Sequence, residues 1–124
     1  MTEARRKRGL AARLAGRRAE VLGAAWLMAK GYRILGFRLR TPLGEIDLLA
    51  SKKDVLAVVE VKLRTSLDEA LDAVTSHQRE RLRRAGQTIV ARRPGLAGAT
   101  IRLDLIALAP GRWPRHIPDA WNGA

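Results

Sequence analysis

Four ionisable residues interrupt two apolar runs in the segment GEIDLLASKKDVLAVVEVK (44–62): Glu45, Asp47, Glu60 and Lys62. A charge carried into a strand that packs against a core costs several kcal/mol unless it is paired or bound to a cation. Three carboxylates and a lysine in so short a stretch therefore suggest a site. All-oxygen ligation suits a hard divalent ion such as Mg²⁺ or Mn²⁺, which takes one or two carboxylates and keeps waters for a phosphate-bearing substrate. Water on such an ion is a usable nucleophile near neutral pH, and the ion offsets charge developing on a phosphate. Lys62 could point at that water or at the phosphate oxygens. The competing reading is a surface hairpin with solvated charges or a Glu–Lys cross-strand pair. The apolar flanks Val58, Val59, Val61 and Leu63 weigh against it.

Strands must position these groups. Side chains alternate along a strand, so Glu45 and Asp47 share one side, and Glu60 and Lys62 share one side of the next. With Ser51 to Asp54 as the loop of an antiparallel hairpin, Glu45 lies opposite Glu60 and Asp47 opposite Val58. Asp47 and Glu60 are then diagonal neighbours, roughly 7–8 Å apart at the backbone. An odd-length loop would instead put the two pairs on opposite faces.

Around this hairpin the chain reads as a basic flexible arm (1–9), a domain (10–109) and a Pro/Gly-rich tail (110–124). Small and apolar residues at helical spacing predict a helix over 10–30, ended by Gly31. YRILGFRLR, GEIDLLA and DVLAVVEVKL follow as three strands. A second helix is expected over 69–92, ARRPGLAG is a turn, and TIRLDLIALA is a fourth strand. The order αβββαβ implies an α/β fold, a mixed β-sheet with flanking helices. Trp26 is expected in the core, with Trp113 and Trp121 fastening the tail. Asp104 reads as a buried partner for an arginine or a backbone group, and His116 as polar surface.

Composition points the same way as the hairpin. The formal charge is +12, from 24 Lys and Arg against 12 Asp and Glu in 124 residues. That is the footprint of a polyanion binder, and arginine, which supplies most of it, matches phosphate oxygens with its planar fork. Arg17 and Arg18 belong to a basic cluster near the N-terminus, and Arg79 and Arg83 to another in the second helix. A solvated face, an anionic membrane surface and an RNA partner are the alternatives. Few aromatics argue against a base-stacking platform. The absence of cysteine excludes disulfides, zinc–thiolate sites and thiol nucleophiles. No Walker-type loop is present, which argues against an ATPase. No apolar run reaches the ~18 residues of a membrane span. The arginine-rich start followed by VLGAAWLMA superficially suggests a leader, but Glu20 at its edge argues against cleavage, and a cytoplasmic protein without a membrane partner is expected.

The set GRRAE (16–20), GYRIL (31–35), RTPLGEIDLLA (40–50), VVEVKLRTS (58–66), DAVTSHQRERL (72–82) and RLDLIAL (102–108), with HIPDAW in the tail, resembles the YraN-like family of uncharacterised bacterial proteins. The motifs occur in the family's order and spacing. The resemblance implies a restriction-endonuclease-like core of the PD-(D/E)XK superfamily, distantly related to archaeal Holliday junction resolvases. It implies a Mg²⁺- or Mn²⁺-dependent endonuclease acting on DNA, with branched DNA a candidate substrate. Asp47 then matches a metal ligand, Glu60 a second ligand and Lys62 the residue that orients the attacking water. Glu20 matches a glutamate that completes the metal shell. Glu45 belongs to the GEID motif, where pairing with an arginine is an equal alternative, and Gln78 matches a polar position facing the site. Arg40 and Arg64 would flank it as phosphate contacts. Resolvase relatives act as dimers, so a homodimer is compatible. His77 stands where the family usually has lysine, Arg38 where it has asparagine, Asp68 where it has glycine and Leu103 where it has phenylalanine. The alternative function is a noncatalytic nucleic-acid-binding protein that keeps the nuclease fold.

Overall fold

The computed structural model describes residues 2–121. Helix α1 (Glu3–Ala29) leads into three antiparallel strands, β1 (Arg33–Thr41), β2 (Gly44–Lys52) and β3 (Val55–Leu63). Helices α2 (Leu67–Asp72) and α3 (Ser76–Arg92) and a 3₁₀ turn at Pro94–Leu96 cross over to β4 (Thr100–Leu108), which lies parallel to β3. A short β5 (Arg115–Ile117) closes a five-stranded mixed sheet in the order β1-β2-β3-β4-β5.

Three expectations are corrected. The helix over 10–30 begins instead at Glu3, because Thr2 caps it by accepting from the Arg5 N–H at 3.1 Å. Residues 3–9 are thus its first turns. The helix expected over 69–92 is broken between Asp72 and Ser76 by a capping box. Thr75 accepts from the Gln78 N–H while the Gln78 side chain accepts from the Thr75 N–H, an arrangement that starts a helix afresh. The expected order αβββαβ has no strand in the Pro/Gly-rich tail, yet the tail supplies β5; its residues 122–124 lie outside the described ones.

Apolar residues divide between the two faces of the sheet. Ala24 and Leu27 of α1 pack on Leu48, Ala50, Ala57, Val59 and Ile106. Leu82 and Ala85 of α3 pack on Ile46, Leu49, Leu56, Val58 and Leu103. Gly86 lets α3 approach closely, since a Cβ there would meet Val58 Cγ2 at 3.0 Å and Ile101 Cγ2 at 3.1 Å. Truncating a fully buried leucine such as Leu27 in such a core costs about 2–5 kcal/mol. Every buried residue of α1 falls between Ala19 and Leu27, so its N-terminal turns project past the sheet as an exposed, arginine-rich rod. Among the described residues no helix is long and apolar enough to cross a membrane.

The two inward-facing sets on β2 are out of step. Leu48 and Ala50 face α1, whereas Ile46 faces α3 together with Leu49. Strict alternation would keep Ile46 with Leu48. The break falls on Asp47.

Candidate functional site

Asp47 lies where β2 and β3 part. Their ladder runs from Lys52–Val55 to Leu48–Val59, so the turn between them is Lys53–Asp54, with Lys53 in the left-handed region at φ 54°. The shorter loop corrects the expected register by two residues and preserves its parity. Leu49, not Asp47, pairs with Val58, and carried one step further the register sets Asp47 across from Glu60. Instead of a ladder bond, the Asp47 carboxylate accepts the Val61 N–H at 3.0 Å. A side chain inserted between strands in this way splits the sheet end.

Grooves meet at this split. One, of about 160 Å³, is lined by Leu43, Gly44, Glu45, Asp47, Glu60, Gln78, Arg81 and Leu82. The other, about 460 Å³, holds Glu20, Arg38, Glu45, Asp47, Lys62 and Arg64 against the small residues of α1. Glu45 and Asp47 belong to both. Glu60 is buried, and the Lys62 ammonium stands 3.8 Å from its Oε2.

Asp47 and Glu60 line the smaller groove together, close enough for each to act on the other's charge. Burial, followed by repulsion from Asp47, pushes Glu60 up to about 8. Burial also raises Asp47, against the opposing bond from Val61 N–H, while the nearby Glu20 charge raises it further. Two acids set together in a partly buried cleft resist ionising together, and the proton is retained on Glu60 to higher pH than usual. Lys62 lowers both but does not offset the burial.

Glu20, to which the resemblance gives a ligand role, is engaged by an arginine. It is buried on α1, lines the same groove as Asp47, and accepts from Arg38 Nε at 2.7 Å, with Nη2 also in an ion pair. Among the described residues no group of three or more His, Cys, Asp or Glu is gathered as a metal site. A hard divalent ion needs only one or two carboxylates, so Asp47 and Glu60 are the residues here that could hold one.

Other expected residues divide. Gln78 lines the smaller groove while its Oε1 caps α3. Glu45 is exposed and faces Arg40 across the β1–β2 register, with no ion pair between them among the described residues. Arg40 lies beside Arg92 and Arg93 in a separate hollow, whereas Arg64 borders the larger groove. Arg79 packs its guanidinium over Trp121, 5.8 Å from the ring centroid. His77, Arg83, Arg17 and Arg18 are exposed and border neither groove. The sequence reading missed Arg81, which lines the smaller groove and donates to Leu43 O at 3.0 Å; its signal was the i+3 spacing from Gln78.

A second charged cluster occupies the α1 side of the sheet. Asp104 is fully buried, as the arginine pairing expected of it requires, and receives Arg102 Nε and Nη2 at 2.8 Å each. The Asp119 N–H adds a third bond at 3.1 Å. His116, read as surface, has a fully buried side chain with Nε2 2.8 Å from Asp104, a correction caused by β5 folding back beside β4. Trp26 is half-buried and stacks on Trp113 instead of entering the core, while Trp121 anchors the tail through Leu71 O at 3.0 Å.

Fold and site define a class: a small mixed α/β domain whose sheet splits at the end of two inner strands beside two carboxyls and a lysine. The chain belongs to the Uncharacterised protein family UPF0102, whose model matches residues 19–108 and which is the YraN-like family its motifs resemble. It is 69% identical over 120 residues to a UPF0102 protein of Caulobacter vibrioides (strain NA1000 / CB15N), covering 97% of this chain and 96% of the relative. A UPF0102 protein of Caulobacter sp. (strain K31) is 75% identical over 114 residues, 92% of this chain and 82% of the relative. A more distant relative from Paramagnetospirillum magneticum is 48% identical over 116 residues, 90% of each chain.

Proposed function

We propose that this protein is a divalent-metal-dependent endonuclease that hydrolyses DNA phosphodiesters on a restriction-endonuclease-like core, with branched DNA as the favoured substrate. The observation that carries the reading is that Asp47 and Glu60 line one groove at the β2–β3 split, with Lys62 3.8 Å from Glu60 and arginines at the groove's border. Structural ion pairs are built to neutralise charge, and this pair leaves two acids competing for one proton.

Asp47 and Glu60 would hold Mg²⁺ or Mn²⁺. When bound, the ion supplies a nucleophilic water and offsets charge on the phosphate. Lys62 carries three donors and no acceptor, so it can orient a water or a phosphate oxygen next to Glu60. Arg64 at the groove and the exposed arginines of α1 supply phosphate contacts, which attract any duplex in a salt-dependent way. The Glu20–Arg38 pair favours a second reading, a noncatalytic nucleic-acid-binding module, because it engages the third carboxylate.

Cleavage of a labelled panel (four-way junction, flap, single strand, linear duplex and RNA) in Mn²⁺ and Mg²⁺ separates these readings. Metal-dependent cutting lost in Asp47→Ala and Lys62→Ala proteins is the expected result. Tight binding without cutting, unchanged by either substitution, would instead establish the binding module.

A further inference from the structure

We infer that Arg38 is a substrate-operated stop: its guanidinium occupies Glu20 beside the Asp47–Glu60 pair until a phosphodiester takes the arginine, so that divalent metal and nucleic acid bind with positive coupling. The inference rests on the reading of Asp47 and Glu60 as metal ligands.

Arg38 lies within β1, yet its backbone is in the left-handed region at φ 48°. A long side chain rarely adopts that conformation. The other non-glycine residues there among those described, Lys53 and Asp119, sit in turns. The β1–β2 register passes from Phe37–Leu48 to Leu39–Ile46 and omits Arg38 and Asp47, so the two irregular residues face each other. The guanidinium then reaches Glu20 and is held charged first by that hydrogen bond, with Glu45 and Asp47 adding attraction. One tethered monovalent cation therefore sits among three carboxylates that border a single groove.

Phosphate competes for such a cation on good terms, because the planar fork binds phosphate oxygens as well as it binds a carboxylate. The groove that exposes Arg38 also presents Lys62 and Arg64 to an incoming phosphate. Once Arg38 turns to it, Glu20 is left as a buried carboxylate beside Asp47, and a divalent ion is the cation that can satisfy both. Linkage makes the effect mutual: metal that recruits Glu20 releases Arg38 for nucleic acid. If Arg38 only clamps α1 to β1, no such coupling exists.

Mn²⁺ titration of the full chain, followed by electron paramagnetic resonance with and without a phosphorothioate duplex, tests this in wild type, Arg38→Asn, Glu20→Gln and Asp47→Ala. Asparagine tolerates the left-handed backbone, so the substitution adds no backbone strain. The duplex should tighten Mn²⁺ binding to wild type roughly tenfold. Arg38→Asn should start near that tighter value and gain little from the duplex, and Glu20→Gln should show no coupling. Wild-type affinity and wild-type coupling in either Arg38→Asn or Glu20→Gln would overturn the inference alone. Mn²⁺ binding that survives Asp47→Ala would overturn the metal reading and the inference together.

Discussion

Two buried acids on one sheet meet opposite fates. Asp104 on β4 and Glu60 on β3 lie at nearly the same level of the parallel ladder, where Val59 pairs with Asp104 and Glu60 with Leu105. Burial pushes both upward. At Asp104, bonds from Arg102, from His116 and from the Asp119 N–H outweigh it and hold the carboxyl below its ordinary value. At Glu60 the neighbour is another acid, and the carboxyl rises to about 8. A fully bonded buried charge belongs to the scaffold. A buried acid set beside a second acid is instead a candidate functional site.

The largest effect should come from breaking the satisfied cluster. Asp104→Ala leaves Arg102 without its buried partner and is expected to cost about 3–5 kcal/mol in urea unfolding. The folded pKa of Asp104 is depressed, so its contribution is present above the unfolded value, about 3.9, and is lost as pH falls through the lower folded one. The variant should therefore also lose part of the acid limb of the stability curve. A loss below ~1 kcal/mol would mean the cluster is not the brace its geometry indicates.

Glu60 should behave in the opposite sense. Its folded pKa, about 8, exceeds its ordinary value of 4.5, so its contribution is full below the lower value and disappears as pH rises through the upper one. Without metal, wild type is expected to lose on the order of a few kcal/mol between pH 5 and 9, and Glu60→Gln to flatten that slope. Mn²⁺ should restore wild type at the alkaline end and leave Glu60→Gln unmoved. Parallel pH curves for the two proteins would erase the contrast between the regions.

How much of this was legible depends on the kind of signal. Asp47, Glu60 and Lys62 stood out because a charge in an apolar strand run is costly whatever the register. The register itself was missed: Lys53 adopts a left-handed turn without being glycine or asparagine, so nothing marked Lys53–Asp54 as the loop. The change of face at Asp47 has no periodic signature, since it arises from the carboxylate taking the Val61 N–H. Arg38 left one trace, the asparagine usual there in the resembled family, a side chain that tolerates its φ of 48°. His116 gave none; a tail histidine becomes core only when β5 pairs with β4 across a loop that composition does not specify.

A smaller effect separates support from chemistry within the groove. Gln78 both lines it and closes the capping box of α3 with Thr75. Gln78→Ala should cost about 1 kcal/mol, as loss of a helix cap does, with the Mn²⁺ stabilisation unchanged. A reduced Mn²⁺ response would move Gln78 from the scaffold to the site.

The smallest effect belongs to the outer end of the satisfied cluster. Lys30 Nζ lies 2.7 Å from His116 Nδ1, at the surface end of the line that runs inward to Asp104. An ammonium has no acceptor, so Nδ1 must accept, and the ring then donates its Nε2–H to Asp104. The lysine thus selects the tautomer that satisfies the buried acid. Because Lys30 itself is exposed, Lys30→Ala should cost only about 0.5 kcal/mol, with water replacing the ammonium. The ¹⁵N shifts of the His116 ring should still show the proton on Nε2, since Asp104 alone can hold it there. If the ring changes tautomer and stability falls by several kcal/mol, the cluster is braced from the surface inward, and its contrast with the Asp47–Glu60 pair is one of access as much as of bonding.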